Sequence, residues 1–218
     1  MKIKELFDLT HTLANDYLSR FTYPWEALPG LKTFLTELGR SLDPHEYEEV
    51  QPEIWVHRSA KIAESASLNA PCIIGADTEV RQCAFIRGSV LVGNGCVVGN
   101  STELKNAILF DGVQVPHYNY VGDSILGYKS HMGAGAVTSN VKSDKTLVVV
   151  KENDSRIETG LKKLGAILGD FVEVGCNSVL NPGTVIGSHS NVYPLSCVRG
   201  TVPADSIYKT GGVIVRKI

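Results

Sequence analysis

From Val56 to Phe110 an aliphatic or aromatic residue stands at every sixth position: Val56, Ile62, Leu68, Ile74, Val80, Ile86, Val92, Val98, Leu104, Phe110. The spacing resumes as Leu168, Val174, Leu180, Ile186, Val192 and Val198. It fits neither the helical period of 3.6 nor the strand period of two. It is the hexapeptide repeat of a parallel β-helix, in which each repeat builds one flat side of a coil. Two positions upstream stand mostly small residues, among them Ala60, Cys72, Thr78, Ala84, Cys96 and Thr102. Residues two apart on a strand share a face, so each side sends one large and one small residue into a narrow interior. Gly75, Gly93, Gly99, Gly127, Gly133, Gly169, Gly175 and Gly187 follow the large residue, where the corner is expected to call for positive φ. The first run stops at Pro116, which reads as a break in the solenoid.

Residues 1–52 lack the repeat. Ile3, Leu6, Phe7, Leu9, Leu13 and Tyr17 predict one amphipathic helix and residues 31–42 a second, with Pro24 and Pro29 between them. The segment is expected to cap the open first coil, whose bare strand edge invites aggregation; a remnant of a larger partner domain is the alternative. Neither GxGxxG nor GxxxxGK[ST] occurs in it, which excludes those two nucleotide-binding devices. Residues 53–218 form the β-helix, with a charged insertion at about 139–163 carrying Lys142, Asp144, Lys145, Lys151, Glu152, Asp154, Arg156 and Glu158. Within it, 146–150 reads as a strand pairing outside the solenoid or between copies.

With 21 Lys and Arg against 23 Asp and Glu, no broad electrostatic case exists for nucleic acid or membrane binding. The N-terminus has no apolar core of a signal peptide and no stretch approaches transmembrane length. Five cysteines without a CxxC pair, two of them at small interior positions, point to reduced thiols used in packing. A cytoplasmic protein is the expectation.

Two positions that usually take glycine carry cations: Arg87 after Ile86 and Lys105 after Leu104, 18 residues or one full coil apart. Stacked coils lie about 4.8 Å apart, so the two emerge one above the other and repel unless an anion joins them. A phosphate suits that role, Arg offering a fork and Lys a point charge. His117 follows in a polar, aromatic-rich stretch and is the side chain best suited to general-base work near neutral pH. The small residues Gly133, Ala134, Gly135 and Ala136 let a ligand approach the backbone.

The markers Thr102-Glu103-Leu104-Lys105-Asn106-Ala107, His117-Tyr118-Asn119-Tyr120-Val121-Gly122-Asp123 and Gly133-Ala134-Gly135 followed by Asn140 resemble the C-terminal acetyltransferase domain of bifunctional N-acetylglucosamine-1-phosphate uridyltransferases. They are closer still to archaeal-type sugar-1-phosphate nucleotidylyltransferases with amino-sugar-phosphate acetyltransferase activity. The resemblance spans about 55–205. It implies a left-handed parallel β-helix that trimerises, with acetyl-CoA lying along the coils between subunits. It further implies that His117 takes a proton from an amino-sugar phosphate and that Asn140 contacts the sugar or acetyl group. Arg87, Lys105, Tyr120 and Lys145 would hold the sugar phosphate, with Lys142 an alternative to Lys145. His131 stands where the family has a sugar-contacting Asn. Ala134 and Cys176, the latter in place of Ser, would meet the coenzyme. The uridyltransferase domain is missing, so this chain is not expected to make a nucleotide sugar.

Two other readings compete with it. A γ-type carbonic anhydrase shares the fold but needs a close His pair that His117 and His131 do not make. A non-catalytic sugar-phosphate or nucleotide-sugar sensor, or a subunit that trimerises a separate nucleotidyltransferase, is the alternative to the N-acetyltransferase.

Overall fold

The structure is a computed structural model and describes residues 1–152 and 155–217; Asp154 of the insertion lies outside them. The repeat builds a parallel β-helix of about eight turns with three faces. Face one begins with Ile54–His57, Cys72–Ile74 and Val90–Val92 and ends with Ala166–Leu168, Thr184–Ile186 and Thr201–Val202. Face two runs from Lys61–Ile62 through Gln114–His117 and His131–Met132 to Ser206–Tyr208. Face three runs from Ser67–Leu68 through Phe85–Ile86, Val137–Thr138 and Val179–Leu180 to Cys197–Val198. Glu103–Leu109 and Tyr120–Leu126 pass through the corner from face three to face one.

Large and small residues share the interior as the repeat requires. Ile86, Leu104 and Val121 stack, as do Val98 and Val115, all fully buried. Several small polar residues inside turn their hydroxyls onto backbone carbonyls: Thr78 donates to Gly93 at 2.7 Å and Thr102 to Val115 at 2.9 Å. That satisfies groups whose burial would otherwise cost stability.

Three expectations are corrected. First, the repeat does not break at Pro116. Leu109, not Phe110, stacks with Val92 and Leu126, because the corners at Asn106 and Asp123, both at φ +49, are one residue short. Phe110 turns instead toward Phe7, ring centroids 4.9 Å apart, and Gln114–His117 pairs with strands on both sides. Second, the glycines after the large residues do not adopt positive φ. They are there for close approach: a Cβ on Gly99 would run into the Pro116 carbonyl of the next coil. The left-handed corners are taken largely by other residues, among them Cys83, Ser101, Tyr118, Asn177 and Leu195 in one column.

Third, the N-terminal segment caps the first coil only with its last strand, Tyr47–Gln51, and otherwise lies along one face. The middle, outward residues of face one are apolar on coil after coil (Ile73, Leu91, Ile108, Ile125, Ile167, Val185), and all are fully buried. Residues 1–42 cover them, with helix Leu31–Ser41 against the early coils and Pro24–Gly30 against Tyr120–Leu126. The helix predicted over 3–17 is broken into Ile3–Leu6, a 3-10 turn Leu9–His11 and Asn15–Leu18. Bonds to the solenoid win over helical propensity there: Asp8 N–H donates to Asp170 at 2.7 Å, and Asp170 N–H donates to the Leu6 carbonyl at 3.0 Å. The first coil's edge on face one is closed by Tyr47–Gln51, paired antiparallel to Ile54–His57.

In the insertion, Val149–Glu152 and Ser155–Glu158 form an antiparallel hairpin outside the solenoid. Among the described residues no helix is long and apolar enough to cross a membrane.

The interior makes a chemical prediction. Burial pushes the Cys72 and Cys96 thiols up to about 12, while Cys83, Cys176 and Cys197 are exposed. A thiol-disulfide reagent near pH 8 should titrate three thiols in the native protein and all five in denaturant. Rapid native reaction of a fourth would show that the coil interior opens.

Candidate functional site

The candidate residues gather on two edges of the prism. Arg87, Lys105 and Asn140 lie on the edge between faces three and one, and Tyr120 lies on face three with its ring folded toward them. His117, Ala134 and Cys176 lie on the edge between faces two and three, on successive coils. The His117 carbonyl accepts from Gly135 N–H at 3.0 Å, and the Ala134 carbonyl from Asn177 N–H at 2.8 Å. Three extended residues, roughly 10 Å of strand, separate the two edges.

Asp123 organises the first edge, and the sequence reading passed over it as part of a motif. It is 3% exposed, and its carboxylate accepts from Lys105 Nζ at 3.0 Å, Asn106 Nδ2 at 2.9 Å and Asn140 Nδ2 at 2.5 Å. Its short, left-handed corner aims the side chain back along the edge. Asn140 Nδ2 also donates to the Tyr120 hydroxyl at 3.2 Å. Tyr120 reaches it because Gly122 has no side chain; a Cβ there would strike the phenol. Burial, with the Asp123 and Glu103 carboxylates adding to it, holds the Tyr120 phenol above its ordinary value, so it stays a hydrogen-bonding OH at neutral pH.

The stacked cations are therefore not left to an outside anion. Arg87 Nη1 meets Glu103 Oε1 at 2.6 Å, and that carboxylate holds the guanidinium above its ordinary value. Lys105 meets Asp123. Both ends of the column keep donors free for a ligand, since a guanidinium has five and an ammonium three.

His117 is exposed, and its backbone N–H donates to Asn119 Oδ1 at 3.1 Å. Asn119 is itself buried and pinned by donating to the Gly133 and Ala136 carbonyls. A rigid backbone thus presents an accessible imidazole beside the small residues at 133–136.

Three assignments do not assemble with the rest. His131 stacks with Gln114 and Glu173 on face two, its Nδ1 2.8 Å from Glu173 Oε2, away from both edges. Lys145 is exposed in the insertion loop, with its N–H donating to the Lys142 carbonyl. Lys142 pairs with Asp144 at 3.3 Å. Among the described residues no group of three His, Cys, Asp or Glu is placed to hold a metal ion. Arg199 was missed although its signal was present: it follows Val198 as Arg87 follows Ile86, and the ladder from Val137–Thr138 through Val179–Leu180 to Cys197–Val198 puts it on the same edge.

Asp123→Asn tests the organising role. Loss of charge-assisted bonds at a buried acceptor should cost about 2–3 kcal/mol in denaturant unfolding. Glu103→Gln, whose pair with Arg87 is exposed, should leave the midpoint nearly unchanged. Equal effects would deny Asp123 its place at the centre.

The family model described as the GMPPB C-terminal domain matches residues 69–203. The bifunctional protein GlmU of Methanococcus maripaludis is 28% identical over 219 residues, covering 99% of this chain and 53% of the relative. The bifunctional sugar-1-phosphate nucleotidylyltransferase/acetyltransferase of Sulfurisphaera tokodaii is 32% identical over 126 residues, covering 58% and 31%. The chain thus spans between about a third and about half the length of these relatives. Among solved structures, the acetyltransferase domain of PglB from Neisseria gonorrhoeae in complex with acetyl coenzyme A aligns with a TM-score of 0.36 at 15% identity, covering 74% of this chain and 56% of that one. A match over most of the solenoid makes this chain a member of the family of the GMPPB C-terminal domain.

Proposed function

We propose that the chain is an acyltransferase that moves the acetyl group of acetyl-CoA to the amine of an amino-sugar phosphate, with His117 as general base. The observation that carries this reading is the division of labour between the two edges. One presents Arg87, Lys105 and Tyr120, with Asn140 held between Tyr120 and Asp123, which suits a phosphorylated sugar. The other presents an accessible His117 beside the small residues at Ala134, which suits a thioester and the amine that attacks it. The printed name of one relative carries the same chemistry, a bifunctional sugar-1-phosphate nucleotidylyltransferase/acetyltransferase.

In this reading the His117 imidazole takes a proton as the amine nitrogen bonds to the thioester carbon. The carbonyl becomes a tetrahedral oxyanion, which calls for a well-placed donor, and the backbone around Ala134 faces the thioester sulfur. Collapse breaks the carbon–sulfur bond, and the imidazolium returns its proton to the departing thiolate. A hydrogen bond does not cross roughly 10 Å of strand, so the site closes when one copy sets its His117 edge against the Lys105 edge of another. A cyclic trimer satisfies that head-to-tail relation.

A second reading, a non-catalytic sugar-phosphate or nucleotide-sugar binding or trimerising subunit, draws on one observation: Arg87 and Lys105 are already neutralised by Glu103 and Asp123. Thiol release from acetyl-CoA, measured against a panel of amino-sugar phosphates, decides between them. Release with one member supports the transferase, and silence across the panel overturns it.

A further inference from the structure

Farther along the edge that carries Lys105, the insertion builds a second, strongly basic cavity. Its hairpin lies flush on the edge between faces three and one because Gly183 turns its corner at φ +80 without a side chain. A Cβ at Gly183 would meet Val148 Cγ1 at 2.8 Å and the Val149 carbonyl at 3.2 Å, while at Gly200, φ +78, the hairpin is in ordinary contact range. Hairpin, loop and coils enclose about 520 Å³ into which Lys142, Lys151, Arg156 and Arg199 all contribute. Among the described residues Asp144 is the one carboxylate in its lining, and it is engaged by Lys142 at 3.3 Å. Lys151 and Arg156 stand directly opposite each other in the antiparallel pair. Like charges there oppose the pairing that forms the hairpin, and Arg199 adds a third cation from the solenoid. Among the described residues, Lys151, Arg156 and Arg199 have no carboxylate within ion-pair distance.

We infer that this cavity is a diphosphate-binding site. Two phosphoryl groups bring enough negative charge to relieve four cations set against one carboxylate, and Arg forks with Lys point charges are the donors such a group takes. The shared chemistry is the diphosphate; a nucleotide-linked acceptor and a coenzyme A are two molecules that carry one. The inference does not rest on the transferase reading, since binding here needs no turnover.

Calorimetric titration of the whole chain with inorganic pyrophosphate and, separately, inorganic phosphate at low salt tests it. Pyrophosphate should bind at least about tenfold more tightly than phosphate, and added salt should weaken it. Lys151→Gln with Arg156→Gln, and separately Arg199→Gln, should each weaken pyrophosphate binding about tenfold or more. Melting shows that both variants are folded, and the double variant should melt no lower than the parent because a like-charge contact is removed. Competition then separates the sources: UDP displacing pyrophosphate marks a nucleotide-linked acceptor, and coenzyme A alone displacing it marks the acyl carrier. Pyrophosphate affinity unchanged in both variants, or displacement by neither competitor, overturns the proposal. A chain that acetylates nothing still gives a clear answer here.

Discussion

Replacing His117 with alanine is expected to lower thiol release by about 10²–10⁴-fold, the usual contribution of a positioned general base, while acceptor binding stays close to that of the parent. Binding should survive because the phosphate and sugar contacts proposed for Arg87, Lys105, Tyr120 and Asn140 sit on another edge. Folding should survive because the imidazole is exposed and the backbone at 117 is held by Asn119 and by the strands on either side. Single-turnover kinetics with a saturating acceptor measures the chemical step, and calorimetry with the acceptor alone measures binding. Lost turnover with intact binding is the expected pair of results. Unchanged turnover would remove His117 from the chemistry, and lost binding would move it to the acceptor's side.

The largest expected loss of stability follows Ile108→Asp. Ile108 sits in the middle of face one between Leu91 and Ile125, fully buried under the N-terminal segment. A carboxylate there has no partner, and burying it costs more than about 4 kcal/mol, enough to exhaust much of the stability of an ordinary domain. Gln114→Asp, on an exposed face-two position, should shift the denaturant midpoint only slightly. A soluble, cooperatively folding Ile108→Asp protein would mean that the segment over face one is readily shed. Cutting the chain before Tyr47 should have the same outcome by another route, leaving a row of apolar side chains uncovered and driving aggregation.

The row that seats the N-terminal segment was present in the sequence and went unread. On faces two and three the outward residue between the two inward ones is polar on many coils, as at Glu79, Gln114, Glu103 and Glu173, and apolar only here and there, as at Val97, Phe85, Val137 and Val179. On face one the outward residue is apolar too, giving Cys72-Ile73-Ile74, Val90-Leu91-Val92 and Ala107-Ile108-Leu109. The interior positions alone do not carry this signal, which recurs once per coil. Arg199 likewise repeats the Arg87 and Lys105 pattern farther along. Asp123 was harder to see. Its importance comes from a corner one residue short, and in the sequence that shortening looked like the end of the repeat near Pro116.

The cation stack shows where a pattern of types stops being informative. Spacing alone put Arg87 above Lys105, and the ladder agrees. Spacing did not show that Glu103 and Asp123 stand beside them, because those contacts arise from side chains leaning between coils. His131 and Lys145 stand apart from the other candidates for a related reason. Each was carried over by motif position, and the fold set one on face two against Glu173 and the other out in the insertion loop.

A period of six was sufficient to dictate coils, faces and interior, because strand alternation and corner spacing are local and repeat without reference to distant chain. The partition of the candidate residues onto two edges, the covering of face one and the basic cavity under the hairpin arose only on folding. Each depends on how many residues a corner spends and on which coil a distant segment meets. One residue gained or lost there rotates everything after it to another side of the prism.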